Sequence, residues 1–346
     1  MRSSQTLKAE QAAPGAAGPA EPAGSSVLDG PNGPGRSADT ASGRARKARR
    51  SPRQRGEARA GYLFLLPWFA GLVGLVLGPM LVSAYLSFTE YDLFNDPVWV
   101  GLDNYRTMFT EDPRYLKSLQ VTFTYVLASV PLRLVVALGL ALLMNRAVRG
   151  MSFYRAVLYL PSLLGGSVAI AVLWRQLFGG EGAVNQILAL VGIDGPNWIA
   201  SPDTSLLTII VLAVWQFGSP MVIFLAGLRQ IPQEVLEAAR VDGAGAVRRF
   251  FSVVLPLLTP LVFFNVIMQT IVAFQAFTPS FIISNGTGGP VDSTLFYTLY
   301  LYIKGFSEFQ MGYASAMAWV LVAIIAIFTA VNFLGARRWV FYGDES

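Results

Sequence analysis

Four amides and one arginine stand in stretches of this chain that are otherwise apolar. Gln216 follows Trp215 and precedes Gly218 and Pro220, while Asn265 and Gln269 lie four residues apart, a spacing that shares one helical face. Gln275 comes next in the same stretch, flanked by Phe274 and Phe277. Arg133 sits in Val130, Pro131, Leu132, Arg133, Leu134 with no acidic residue nearby in sequence. Groups of these types hold solutes or one another, because scattered polar groups and aromatic faces are how hydroxyl-bearing ligands are gripped. Bond-making chemistry lacks its usual residues. The 346 residues contain no His and no Cys, which excludes imidazole acid–base work, the HExxH zinc pattern, a thiolate metal site and a disulfide framework.

The elements that carry these groups are membrane spans. Hydrophobic residues make up 53% of the chain and charged residues 14%, a membrane composition. Six windows, roughly 62–88, 119–144, 153–178, 206–228, 257–283 and 313–334, are long enough to cross a hydrocarbon core of about 30 Å at about 1.5 Å per residue. The expected fold is therefore an all-α membrane protein of six transmembrane helices, both termini on one side. Arg146, Arg149 and Arg155, then Arg229, Arg240, Arg248 and Arg249, then Arg337 and Arg338 flank one set of span ends; the other set is dominated by acids such as Glu90, Asp92, Asp103 and Glu111. Positive residues are retained in the cytoplasm, so the first set and both termini are expected there.

Residues 1–60, rich in Ala, Gly, Pro, Ser and Arg, are expected to be a disordered basic cytoplasmic tail, and 61–342 the six-helix domain. The net charge of +5 belongs to that tail and the retention signal, leaving little support for nucleic-acid binding. Polar spans are costly, and an arginine at a span centre costs at least about 2.5 kcal/mol, so Arg133 must find carbonyls, a cavity or a partner subunit.

Between the fourth and fifth windows the sequence predicts a short cytoplasmic helix of about ten residues. Pro232 suits its first position, Glu234 complements the positive helix start, and Gly243 can adopt the left-handed conformation that closes a helix. A helix this short is marginal alone, and Val235, Leu236, Ala238 and Ala239 call for a groove on a neighbour.

The stretch EAARVDGAGAVRRFFSVVLPLLTP, from Glu237 to Pro260, resembles the EAA loop of the membrane subunits of binding-protein-dependent ABC importers. LSFTEYDLFNDPVWVGLDNYRTMF, from Leu86 to Phe109, and ISNGTGGPVDSTLFYTLYLY, from Ile283 to Tyr302, resemble the carbohydrate branch of that family, and the likeness covers roughly residues 62–342. The resemblance implies an inner-membrane permease subunit of a bacterium or archaeon, importing a sugar or oligosaccharide. It implies as partners a second permease of different sequence, an ABC ATPase dimer and an extracytoplasmic substrate-binding protein. This chain has no GxxxxGK followed by Ser or Thr, so ATP and Mg are expected on the ATPase and no cofactor on this chain.

By the same resemblance Glu237, Ala238, Ala239, Asp242 and Gly243 couple to the ATPase: Glu237 offers a carboxylate, the alanines permit close approach, and Gly243 turns the chain back. Gln216, Asn265, Gln269, Phe274 and Gln275 are the expected pathway residues. Glycerol phosphate or another polyol is the alternative solute. A secondary transporter driven by ions is disfavoured, because no span interior carries an acid.

Overall fold

The computed structural model describes residues 64–145 and 150–341; the expected tail lies outside the described residues. Helices dominate. Span-forming helices are α1 (Phe64–Leu86), α3 (Pro113–Met144) and α14 (Met311–Trp339), together with the stretch Ala246–Ile283. Two bent pairs complete the set: α4 (Met151–Leu164) with α5 (Val168–Leu177), bent by 98°, and α7 (Pro202–Trp215) with α8 (Gly218–Gln230), bent by 40°. Counting each pair once gives six spans, as the hydropathy windows require. Shorter helices α2 (Asp103–Thr110), α6 (Ala183–Leu190) and α13 (Tyr297–Tyr302) lie in the connections, and a two-stranded antiparallel ribbon pairs Thr89 with Trp99 and Glu90 with Val98.

Two spans widen just before a proline. In α1 the turn Leu72–Leu77 is π-helical and Gly78 N–H bonds Val73 O, immediately ahead of Pro79; in the fifth span Phe250–Val254 is π-helical and Leu255 N–H bonds Phe250 O, ahead of Pro256. A proline ring lacks the N–H and crowds the preceding turn, and a π turn relieves the crowding without ending the helix.

The long helix α3 is the central post. It starts crisply because Asp112 caps it, accepting the Tyr115 N–H at 3.1 Å, with Pro113 at the first position. Around it pack α7, α8 and α11 (Leu255–Phe274), and the shared core contains Tyr115, Ile209, Leu212, Met221, Phe224, Leu258, Phe274, Phe296 and Tyr297. The helices α8 and α4 cross closely at Gly218: a Cβ there would lie 2.9 Å from Tyr159 Cα and 2.8 Å from Ser162 Oγ. By contrast α1 buries none of its span, and Phe64, Leu66, Trp68 and Leu75 face outward. Apolar side chains pointing out and polar ones in is the pattern of a lipid-embedded bundle.

Candidate functional site

The breaks in the bent spans meet at one place. Between α4 and α5 the chain turns through Gly165, Gly166 and Ser167, and the Ser167 hydroxyl accepts the Ile170 N–H to start α5. Between α7 and α8 the break falls at Gln216 and Phe217. A break frees backbone groups that water would otherwise satisfy, and here α4 supplies the partners. Ser162 Oγ donates to Gln216 O at 2.9 Å and accepts the Ser219 N–H at 3.1 Å. The Gln216 side chain returns the connection, its Nε2 donating to Gly165 O at 3.0 Å. A side chain at 165 would displace the Gln216 amide from this position, since a Cβ there would lie 2.2 Å from Gln216 Cδ.

Arg133 completes the hub from α3. Its Nη1 donates to Gln269 Oε1 at 2.5 Å and its Nη2 to Gln216 Oε1 at 3.3 Å, joining three spans that are far apart in sequence. Beside it opens a cavity of about 300 Å³, whose polar lining comes from Tyr125, Ser129, Arg133, Gln216, Gln275 and Thr278. That volume is at the lower end for small-molecule pockets, about 300–1,000 Å³. Tyr125, Ser129 and Arg133 recur every four residues and so share one face of α3.

The expected pathway residues divide. Gln216 and Gln275 line the cavity, and Gln269 touches it through Arg133. Phe274 does not line it: this side chain is buried in the core, edge-on to Phe123 and Phe328, because an apolar ring gains more from close packing than from a wet cavity. Asn265 is also fully buried, its Nδ2 bonded to Leu261 O within its own helix and its Oδ1 without a partner. The fifth span is interrupted where the hydropathy window runs on: α11 stops at Phe274, Gln275 caps it, and α12 (Thr278–Ile283) begins afresh. Pro279 suits the restart, since proline is well placed in the first turn of a helix, where its missing N–H would be unpaired anyway. Tyr125, Ser129, Thr278 and the Gly165–Gly166 pair were missed from sequence. The i, i+4 spacing of the first two to Arg133, and paired glycines inside an apolar window, were the available signals.

The short helix expected between the fourth and fifth windows is present as α9 (Gln233–Val241), with Pro232 as its N-cap one position earlier than expected. Its end is tied by three hydrogen bonds of 3.0 Å each: Asp242 N–H to Ala238 O, Gly243 N–H to Arg240 O, and Ala244 N–H to Ala239 O. Gly243 makes the turn at φ +75°. Nothing in α9 is buried; Glu237, Ala238 and Asp242 are exposed, and so are the apolar Val235 and Val241. The helix rests on α10 (Ala246–Arg249) and the π turn Phe250–Val254, which run straight into α11.

At the other end of α3, Asp112 gathers a second polar cluster. Its carboxylate accepts Tyr300 OH at 2.6 Å and Tyr313 OH at 2.8 Å. Burial pushes the carboxyl up, but these donors, the Tyr115 N–H and the Lys304 charge outweigh it and hold it below its usual value. Arg114 pairs bidentately with Asp292 at 2.9 and 2.7 Å, and Arg175 holds Asn285; both partners are on positive-φ backbone in the loop after α12.

The comparisons with known proteins agree with this architecture. The family described as binding-protein-dependent transport system inner membrane component matches residues 113–339. The chain is 54% identical over 287 residues to the probable ABC transporter permease protein YesP of Bacillus subtilis (strain 168), covering 83% of this chain and 93% of that one. It is 31% identical over 284 residues to the lactose transport system permease protein LacF of Rhizobium radiobacter, covering 80% and 94%. Among solved structures, a bacterial alginate ABC transporter in complex with an alginate pentasaccharide-bound periplasmic protein matches with a TM-score of 0.67 at 19% identity, covering 83% of this chain and 96% of that chain.

Proposed function

Since the chain belongs to the binding-protein-dependent transport system inner membrane components, and is thus a permease subunit of an ABC importer, we propose that it passes a sugar or oligosaccharide through the cavity beside Arg133. The observation that carries this reading is the convergence of both span breaks and the end of α11 on that one polar cavity. Irregular backbone at membrane depth persists where it lines a water-filled path, and breaks let helix ends move without unfolding.

In this reading α9 is the docking element for a separate ATPase, which binds ATP and Mg and forms a dimer. Glu237 and the small Ala238 and Ala239 meet its surface, and Asp242 with Gly243 closes the helix. ATP-driven closure of the ATPase pair displaces α9, and because α9 rests on α10 and the π turn, the displacement is delivered along α11 to Gln269 and Gln275. Two arrangements of the spans, open to either side, are thereby favoured in turn. A second permease of different sequence supplies the facing wall, an extracytoplasmic binding protein delivers the solute, and both termini lie in the cytoplasm. A glycerol phosphate or polyol is the second solute reading, favoured by the cationic Arg133 in the lining.

The test is copurification from native membranes in mild detergent, with mass spectrometry of the partners and uptake of labelled saccharides by the reconstituted complex. An ATPase, a second permease and ATP-dependent uptake are expected. Uptake that persists without ATP and follows an ion gradient would overturn the reading.

A further inference from the structure

Arg133 is a charge without a counter-charge. Its two Nη groups donate to neutral amide oxygens, its Nε is buried with no acceptor, and none of the three ion pairs among the described residues includes it. No Asp or Glu lines the cavity that the guanidinium borders. Neutral acceptors recover only part of the cost of dehydrating a guanidinium, whereas a planar anion offers two oxygens to the fork and bonds about twice as strongly. Both present acceptors are side-chain amides on rotatable stems, one at a helix break and one within the helix that α9 drives. Both side chains can turn away from the guanidinium without breaking a helix's own backbone hydrogen bonds, Gln216 giving up its Nε2 bond to Gly165 O as it does so.

Resting on the reading of this cavity as the solute's path, we propose that the imported solute carries an anionic group and that Arg133 recognises it in passage. Gln216 and Gln269 occupy the fork when no solute is present and yield it to the anion's oxygens. The hydroxyls of Tyr125, Ser129 and Thr278 and the amide of Gln275 then serve the solute's own hydroxyls. Such a lining suits an acidic saccharide bearing a carboxylate; a phosphorylated polyol presents the same charge with fewer hydroxyls.

The experiment uses the importer copurified with its own ATPase and binding protein, reconstituted in liposomes, and three labelled probes: digalacturonate, its neutral counterpart digalactose, and glycerol 3-phosphate. Digalacturonate uptake is expected to exceed digalactose uptake by roughly tenfold or more, the discrimination worth one charge-assisted pair. Preferential uptake of glycerol 3-phosphate supports the anion and assigns it to a phosphate. Gln269→Glu, nearly the same size, gives Arg133 an internal carboxylate and is expected to cut uptake of the anionic probe by roughly tenfold, with the complex recovered in normal amount. Arg133→Lys keeps the charge and should retain part of the uptake that Arg133→Gln loses. Uptake of digalactose equal to or above the anionic probes, uptake of none of the three, or wild-type transport by both Gln269→Glu and Arg133→Gln would overturn the inference. Failure of any ATPase to copurify strikes the permease reading itself; copurification with a neutral preference strikes only this one.

Discussion

Replacing Gly243 separates a coupling element from an incidental loop. The residue stands at φ +75°, and a Cβ built there meets nothing within 4 Å, so any side chain costs backbone strain alone. For an L-residue the left-handed conformation costs about 1–2 kcal/mol, and Asn tolerates it better than other residues. That strain acts on the three 3.0 Å hydrogen bonds closing α9. About 1–2 kcal/mol shifts the ratio of closed to frayed helix ends by roughly 5–30-fold, and a nine-residue helix has little stability of its own to absorb it. Gly243→Ala should therefore lower the solute imported per ATP hydrolysed by up to about that factor. Gly243→Asn should lose much less and Gly243→Val should lose most, since β-branching is poorly tolerated at positive φ. Uptake and hydrolysis are measured in the same proteoliposomes, with subunit content checked by immunoblot. Equal effects of Ala and Asn, or normal stoichiometry with Val, would show that the left-handed turn does not transmit force.

Three further outcomes follow from the geometry. Because the chain has no Cys, single cysteines at Gln275 and Ala276, which line the cavity, should react with a water-soluble thiol reagent much faster than cysteines at the buried Asn265 and Phe274; matched rates would remove the cavity from the solute path. Gly165→Ala must displace Gln216 and free Arg133 Nη2, whereas Gly166→Ala meets nothing within 4 Å, so uptake should fall several-fold in the first and hold in the second. A neutral Gly165→Ala would mean that the Gln216 contacts are dispensable. The carboxyl of Asp112 is held below its ordinary 3.8, so its contribution to stability is present above that value and lost as pH falls through the lower folded one. Asp112→Asn should consequently melt below wild type at neutral pH, with the gap closing only under acid conditions; a gap that closes near neutrality would assign the effect to another group.

Much of the fold was readable because it depends on local or compositional quantities. Apolar length against bilayer thickness set the spans, and Pro232, Glu234 and Gly243 marked a short helix whose start and stop depend only on neighbouring backbone. Other features depended on contacts between distant parts of the chain. An apolar window is nearly uniform around its axis, so it does not say which face is buried, and Phe274 fell to the core while Gln275, one residue on, fell to the cavity. Helix breaks were equally hidden: Gly165 and Gln216 sit inside windows of membrane length, and the 98° and 40° bends exist because each break satisfies the other's polar groups. Arg133 was visible as an expense, but its partners are 83 and 136 residues away. A buried charge is offset by whatever the fold brings to it, and that is a property of packing, not of neighbouring sequence.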